Sequence, residues 1–69
     1  MQSTYTVTGM TCSHCVNHVT EEVSAIAGVS DVQVTLDDGR MVVTSEAPIA
    51  LETITEAVTE AGDYTVTPA

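Results

Sequence analysis

The chain has 69 residues, enough for one domain spanning 1–69 and no more. Ten acidic residues face a single base, Arg40, with no Lys, so the formal net charge is −9. That balance excludes the basic footprint a nucleic-acid partner needs and disfavours an anionic membrane surface. It suits solubility, a salt-adapted host, or a partner with a basic face. A hydrophobic fraction of 43% argues against disorder. Phe and Trp are absent and Tyr5 and Tyr64 are the only aromatics, so Val, Ile, Leu and Ala must carry the core. No apolar run approaches the ~20 residues that span a bilayer. Met1-Gln2-Ser3-Thr4 lacks the basic and apolar segments of a signal peptide. A cytoplasmic chain is expected, and there a Cys pair is more often metal-binding or catalytic than a structural disulfide. The ends suggest a free-standing small protein, with an excised domain as the alternative.

In chain order, Thr4 to Thr8 alternates and is rich in β-formers, which predicts a strand ended by Gly9. Val16, Val19, Val23 and Ile26 then recur at spacings of three, four and three. They form one helical stripe, with Asn17, Glu21 and Ser24 facing outward. Ser13 is the expected N-cap and Gly28 the expected residue just past the helix end. Val32, Val34 and Leu36 alternate with Asp31, Gln33 and Thr35, a strand with one buried face. Asp38-Gly39 signals a hairpin, and Arg40–Ser45 is the return strand, with Met41 and Val43 on one face. Pro48 marks where a second helix can begin. Its apolar stripe is Leu51, Ile54, Val58 and Ala61, and Gly62 closes it. Glu52, Glu56 and Glu60 lie a turn apart on its polar face, a like-charge arrangement that costs a few tenths of a kcal/mol per pair. Tyr64 to Thr67 makes a last short strand. The order β-α-β-β-α-β predicts an α+β, ferredoxin-like sandwich: a four-stranded antiparallel sheet with two helices on one face.

Cys12 and Cys15 fall at the junction of the first strand and first helix. Their spacing lets both sulfurs converge on one point, and a helix N-terminus favours thiolate. Two thiolates are soft ligands that suit Cu(I), which accepts two-coordinate geometry. A closed zinc site needs four ligands, and His14 and His18 do not stand at the spacing of a Cys2His2 set. A Cys-x-x-Cys at a helix N-terminus suits thiol-disulfide exchange equally well. The aromatic and Pro neighbours of thioredoxin-like proteins are missing, however, and the chain is shorter than that fold needs. No Ser-His-Asp or Cys-His catalytic set and no phosphate loop is present, so enzymatic activity is not expected.

The run Gly9-Met10-Thr11-Cys12-Ser13-His14-Cys15 resembles the G-M-x-C-x-x-C motif of the heavy-metal-associated domain family. That family includes bacterial copper chaperones and the metal-binding domains of copper-transporting P-type ATPases. The resemblance covers essentially the whole chain, including Val32 to Leu36, the Asp38-Gly39 turn, and Gly62 followed closely by Tyr64. Asp63 is a departure, standing where many relatives place Tyr directly after Gly. The resemblance implies a βαββαβ scaffold and metal held by Cys12 and Cys15. It further implies that the metal is handed to a partner, a copper-transporting P-type ATPase or a copper-responsive regulator, with a copper-bridged homodimer as a further option.

The neighbours of the pair carry alternatives. Met10 is a thioether ligand or, as the resemblance implies, an apolar anchor under the loop. His14 is a solvated side chain or a modulator of the thiolates, and His18 is expected on the exposed helix face. Tyr64 packs at the edge of the first helix or, as in the resembling chaperones, shields the metal. Tyr5 is expected to be structural. Thr11 stands where zinc- and cadmium-handling relatives often carry Asp, which leans towards Cu(I). Hg(II) shares the same dithiol chemistry and stays open.

Overall fold

The computed structural model describes residues 1–69. It consists of β1 (Gln2–Thr8), α1 (Ser13–Ser24), β2 (Val29–Val34), β3 (Arg40–Ser45), α2 (Leu51–Ala61) and β4 (Thr65–Pro68). The strands form one antiparallel sheet in the order β2-β3-β1-β4. With two helices covering it, this is the ferredoxin-like sandwich expected from the element order.

Register explains the core. Tyr5 lies opposite Met41, Val7 opposite Val66, and Val32 opposite Val43. Successive strand residues point to opposite faces, so this register gathers Tyr5, Val7, Val32, Met41, Val43 and Val66 on the inner one. Val19 and Val23 of α1 and Ile54, Ala57 and Val58 of α2 cover them, completing an eleven-residue buried cluster. Met41, Val19, Val23, Ile54 and Val58 are each wholly excluded from solvent. The core is aliphatic, as the composition requires, with Tyr5 its one aromatic.

Several boundaries differ from expectation. β2 ends at Val34, and Leu36 is left 39% exposed rather than continuing the buried face. The Thr35 N–H donates to the Arg40 carbonyl at 2.8 Å, which consigns Leu36 to Gly39 to the turn. Asp38 organises that turn by accepting the Arg40 N–H at 3.0 Å, and Gly39 supplies the positive φ (69°). A Cβ on Gly39 would collide with the Val7 carbonyl oxygen, so the hairpin is locked against β1. α1 begins one residue earlier than expected: Cys12, extended at φ −158° and ψ 172°, is the N-cap and Ser13 the first helical residue. α1 also ends at Ser24 with Ala25 as its C-cap, so Gly28 (φ 90°) belongs to the following turn. α2 starts at Leu51 behind Ala50, not at Pro48. Leu51 is 43% exposed, and Ala57 takes the buried place on that helix instead. β4 begins at Thr65, so Tyr64 lies in the turn before it.

Two outcomes follow from this packing. Ile54→Ala should cost about 2–5 kcal/mol, because a cavity replaces a wholly buried side chain. Leu51→Ala should cost less than about 1 kcal/mol. Urea denaturation of both variants checks the contrast, and equal losses would contradict the burial pattern. With ten acids against one base, self-repulsion should also lower stability at low ionic strength. The melting temperature should therefore rise as KCl is added, and a flat or falling response would contradict this.

Candidate metal centre

The Cys-x-x-Cys loop is positioned by a close approach of backbone. Gly9, at φ 99°, leaves β1 alongside the turn between α2 and β4. A Cβ there would lie 3.2 Å from the Asp63 carbonyl oxygen and 3.4 Å from the Tyr64 ring. Gly62 faces the same ring from the other side, where an added Cβ would sit 2.8 Å from Tyr64 Cε2. The two glycines thus make a slot for the Tyr64 ring beside the loop. Asp63, the extra residue between Gly62 and Tyr64, contributes its backbone to this contact and leaves its side chain exposed.

From Gly9 the chain passes through Met10, half-buried and packed against the core cluster. This is the place of an apolar anchor. Cys12 then caps α1 with its carbonyl, which accepts the N–H groups of Cys15 at 3.1 Å and Val16 at 3.4 Å. This first turn brings the Cys12 and Cys15 sulfurs to 3.6 Å, both as free thiols. Cys12 is exposed and Cys15 half-buried.

The two sulfurs differ in surroundings. Cys15 is drawn down from the usual thiol range to about 6. A backbone hydrogen bond at Thr11 is the main cause, followed by the polar interaction with the Tyr64 phenol. Desolvation opposes the shift, and the Cys12 side chain and backbone add to it. Tyr64 is correspondingly raised, chiefly by its interaction with Cys15, so it stays a protonated donor towards the thiolate. Thr11 Oγ1 lies 3.9 Å from Cys15 Sγ. Sequence reasoning valued Thr11 only for not being an acid. The signal it missed is the spacing of four between Thr11 and Cys15, which returns the hydroxyl to the sulfur across one turn.

His14 and His18 are both exposed on α1, and neither joins the dithiol. No group of three or more His, Cys, Asp or Glu gathers around a common point. The arrangement therefore offers two soft donors on an open rim, with a phenol beside the less exposed one.

The chain belongs to the heavy-metal-associated domain family, which it matches over residues 4–63. It is 38% identical over 63 residues to the copper chaperone CopZ of Enterococcus hirae, covering 90% of this chain and 91% of that one. It is 40% identical over 60 residues to a mercuric transport protein periplasmic component of Pseudomonas aeruginosa, covering 86% of this chain and 66% of that one. Its structure resembles that of a CopZ metallochaperone with a TM-score of 0.86 and 28% identity, over 97% of this chain and 100% of that one.

The thiol environment predicts a measurable asymmetry. Below the lowered value Cys15 is a thiol, and above it the nucleophilic thiolate. Iodoacetamide modification of Cys15, mapped by mass spectrometry, should rise as pH passes about 6. Tyr64→Phe removes a donor to the thiolate and should move that rise to higher pH. A rise in the wild type only near the unperturbed thiol value of about 8.5 would contradict the assignment.

Proposed function

We propose that this chain is a cytoplasmic, single-domain copper carrier. It binds Cu(I) through Cys12 and Cys15 and passes it to a partner by ligand exchange. The observation that carries the reading is the pair of sulfurs 3.6 Å apart on an exposed rim without a third strong ligand. Two metal–sulfur bonds of about 2.3 Å span at most about 4.6 Å. A small side-chain rotation therefore opens the pair to the near-linear coordination that Cu(I) accepts. Zinc would be left two ligands short. The likeness to copper chaperones supports the same cargo.

Transfer follows from under-coordination. An incoming thiolate adds to the bound ion before the first thiolate leaves, so no bare ion enters water. Each step passes through a three-coordinate species, and exchange between two similar dithiol sites requires little net free energy. Exposed Cys12 is the sulfur a partner reaches directly, while Cys15 is held by Thr11 and Tyr64. Met10 anchors the loop from beneath. A dithiol domain of a copper-transporting P-type ATPase fits as recipient, as does a copper-responsive regulator. The charge of −9 favours a partner with a basic face and opposes a copper-bridged homodimer of this chain. The role is carriage, not catalysis.

A second reading, Hg(II) as cargo, is favoured by the likeness to the mercuric transport component. Mercury binds the same soft pair. One titration decides between these and tests the site. Under anaerobic conditions, Cu(I), Hg(II) and Zn(II) are competed against chelators on the wild type and on Cys12→Ser/Cys15→Ser. Cu(I) should bind one per chain, far tighter than Zn(II), and the double variant should lose it. Unchanged Cu(I) affinity in that variant would remove the site. Zn(II) binding tighter than Cu(I) would remove the copper assignment. Turnover of a disulfide substrate by the metal-free wild type would instead favour a thiol-disulfide oxidoreductase.

A further inference from the structure

The outer face of α1 carries metal-ligating groups that the dithiol does not use. His14 and His18 stand four residues apart within the helix Ser13–Ser24, and both are exposed. Residues at that separation are neighbours on one helix face, with Cβ atoms about 5–6 Å apart. None of the side-chain hydrogen bonds engages either imidazole. Glu22 continues the same row one turn beyond His18. Beside it opens a cleft of about 270 Å3 between the helices, lined by His18, Glu21, Glu22, Glu60 and Ala61.

We infer that His14 and His18 form a second metal site, for a late first-row divalent cation and Cu(II) above others, separate from the dithiol. Two imidazoles four apart on one helix face can close on a single ion as a bidentate pair, with metal–nitrogen bonds of about 2.0–2.1 Å. Imidazole suits Cu(II), Ni(II) and Zn(II), and the order of divalent affinities places Cu(II) first. The side chains do not pre-assemble a third ligand, so water completes the coordination. Glu21, Glu22 and Glu60 make the cleft anionic and raise the local concentration of cations. The dithiol takes a soft monovalent ion, whereas this clamp takes a borderline divalent one. Both lie on the same short helix, the sulfurs at its N-terminal rim and the imidazoles along its outer face.

The test uses the full chain carrying Cys12→Ser/Cys15→Ser, so it stands whether or not the dithiol carries Cu(I). Cu(II), Ni(II) and Zn(II) salts are titrated calorimetrically, and the Cu(II) complex is examined by electron paramagnetic resonance. One ion per chain should bind, Cu(II) tightest, with hyperfine coupling to two imidazole nitrogens. Adding either His14→Ala or His18→Ala should weaken binding about tenfold or more and leave at most one coupled imidazole. Glu22→Gln should have a smaller effect. Binding that survives in His14→Ala/His18→Ala, held by the amino terminus or by diffuse carboxylates, would overturn the site. So would a Cu(II) spectrum with a single imidazole in the chain that retains both histidines.

Discussion

The dithiol end is held in register by the close approach of Gly9 to the turn at Asp63 and Tyr64. At Gly9 the chain leaves the sheet at positive φ, and the neighbouring carbonyl and aromatic ring leave little space for a side chain. That contact joins the start of α1 to the end of α2 across the sheet edge, where Thr8 pairs with Thr65. Met10 is thereby directed down onto the core and Cys12 is left extended as the helix cap. The first turn of α1 then brings Cys15 back beside Cys12. The same contact seats the Tyr64 ring between Gly9 and Gly62, beside the dithiol loop and without a strand of its own. Site geometry is therefore a consequence of backbone packing rather than of specific side-chain bonds around the sulfurs.

Most of the architecture was legible because its signals are periodic. The stripes at three, four and three residues locate both helices, and the alternation around Met41 and Val43 locates β3 without error at either end. What the pattern could not resolve were the places where a non-periodic interaction decides the boundary. Leu36 reads as strand by alternation, yet the Thr35 to Arg40 hydrogen bond closes the hairpin before it. Leu51 reads as core, yet it lies in the first turn of α2 and faces partly outward while Ala57 is buried. Ser13 reads as a cap by residue preference, yet Cys12 holds the position with its backbone and no side-chain bond is made. At the site, the pairing of Cys12 and Cys15 and the anchoring of Met10 were readable from spacing and motif. The contact of Thr11 with Cys15 and the two-glycine slot for Tyr64 depend on the folded turn.

The chemistry of an open dithiol is tied to what the fold withholds. A small domain often gains stability from a closed metal site or disulfide, but here the eleven-residue aliphatic cluster is complete without either. The sulfurs are thus free to sit on an open rim as thiols. A third cysteine or an inward-facing histidine at this end would tighten the site and retard release. Neither is present near the pair, since His14 and His18 are carried outward by the helix.

That outward placement follows from helical geometry. With Val19 and Val23 buried on the sheet-facing side of α1, positions 14, 18 and 22 are turned about 100° round the helix from them, onto its exposed flank. One amphipathic helix therefore separates two ligand chemistries without any additional structure. Sulfur sits where the backbone stabilises thiolate, and imidazole sits on the exposed flank beside carboxylates. Because the two donor sets differ in softness, an ion suited to one competes poorly for the other.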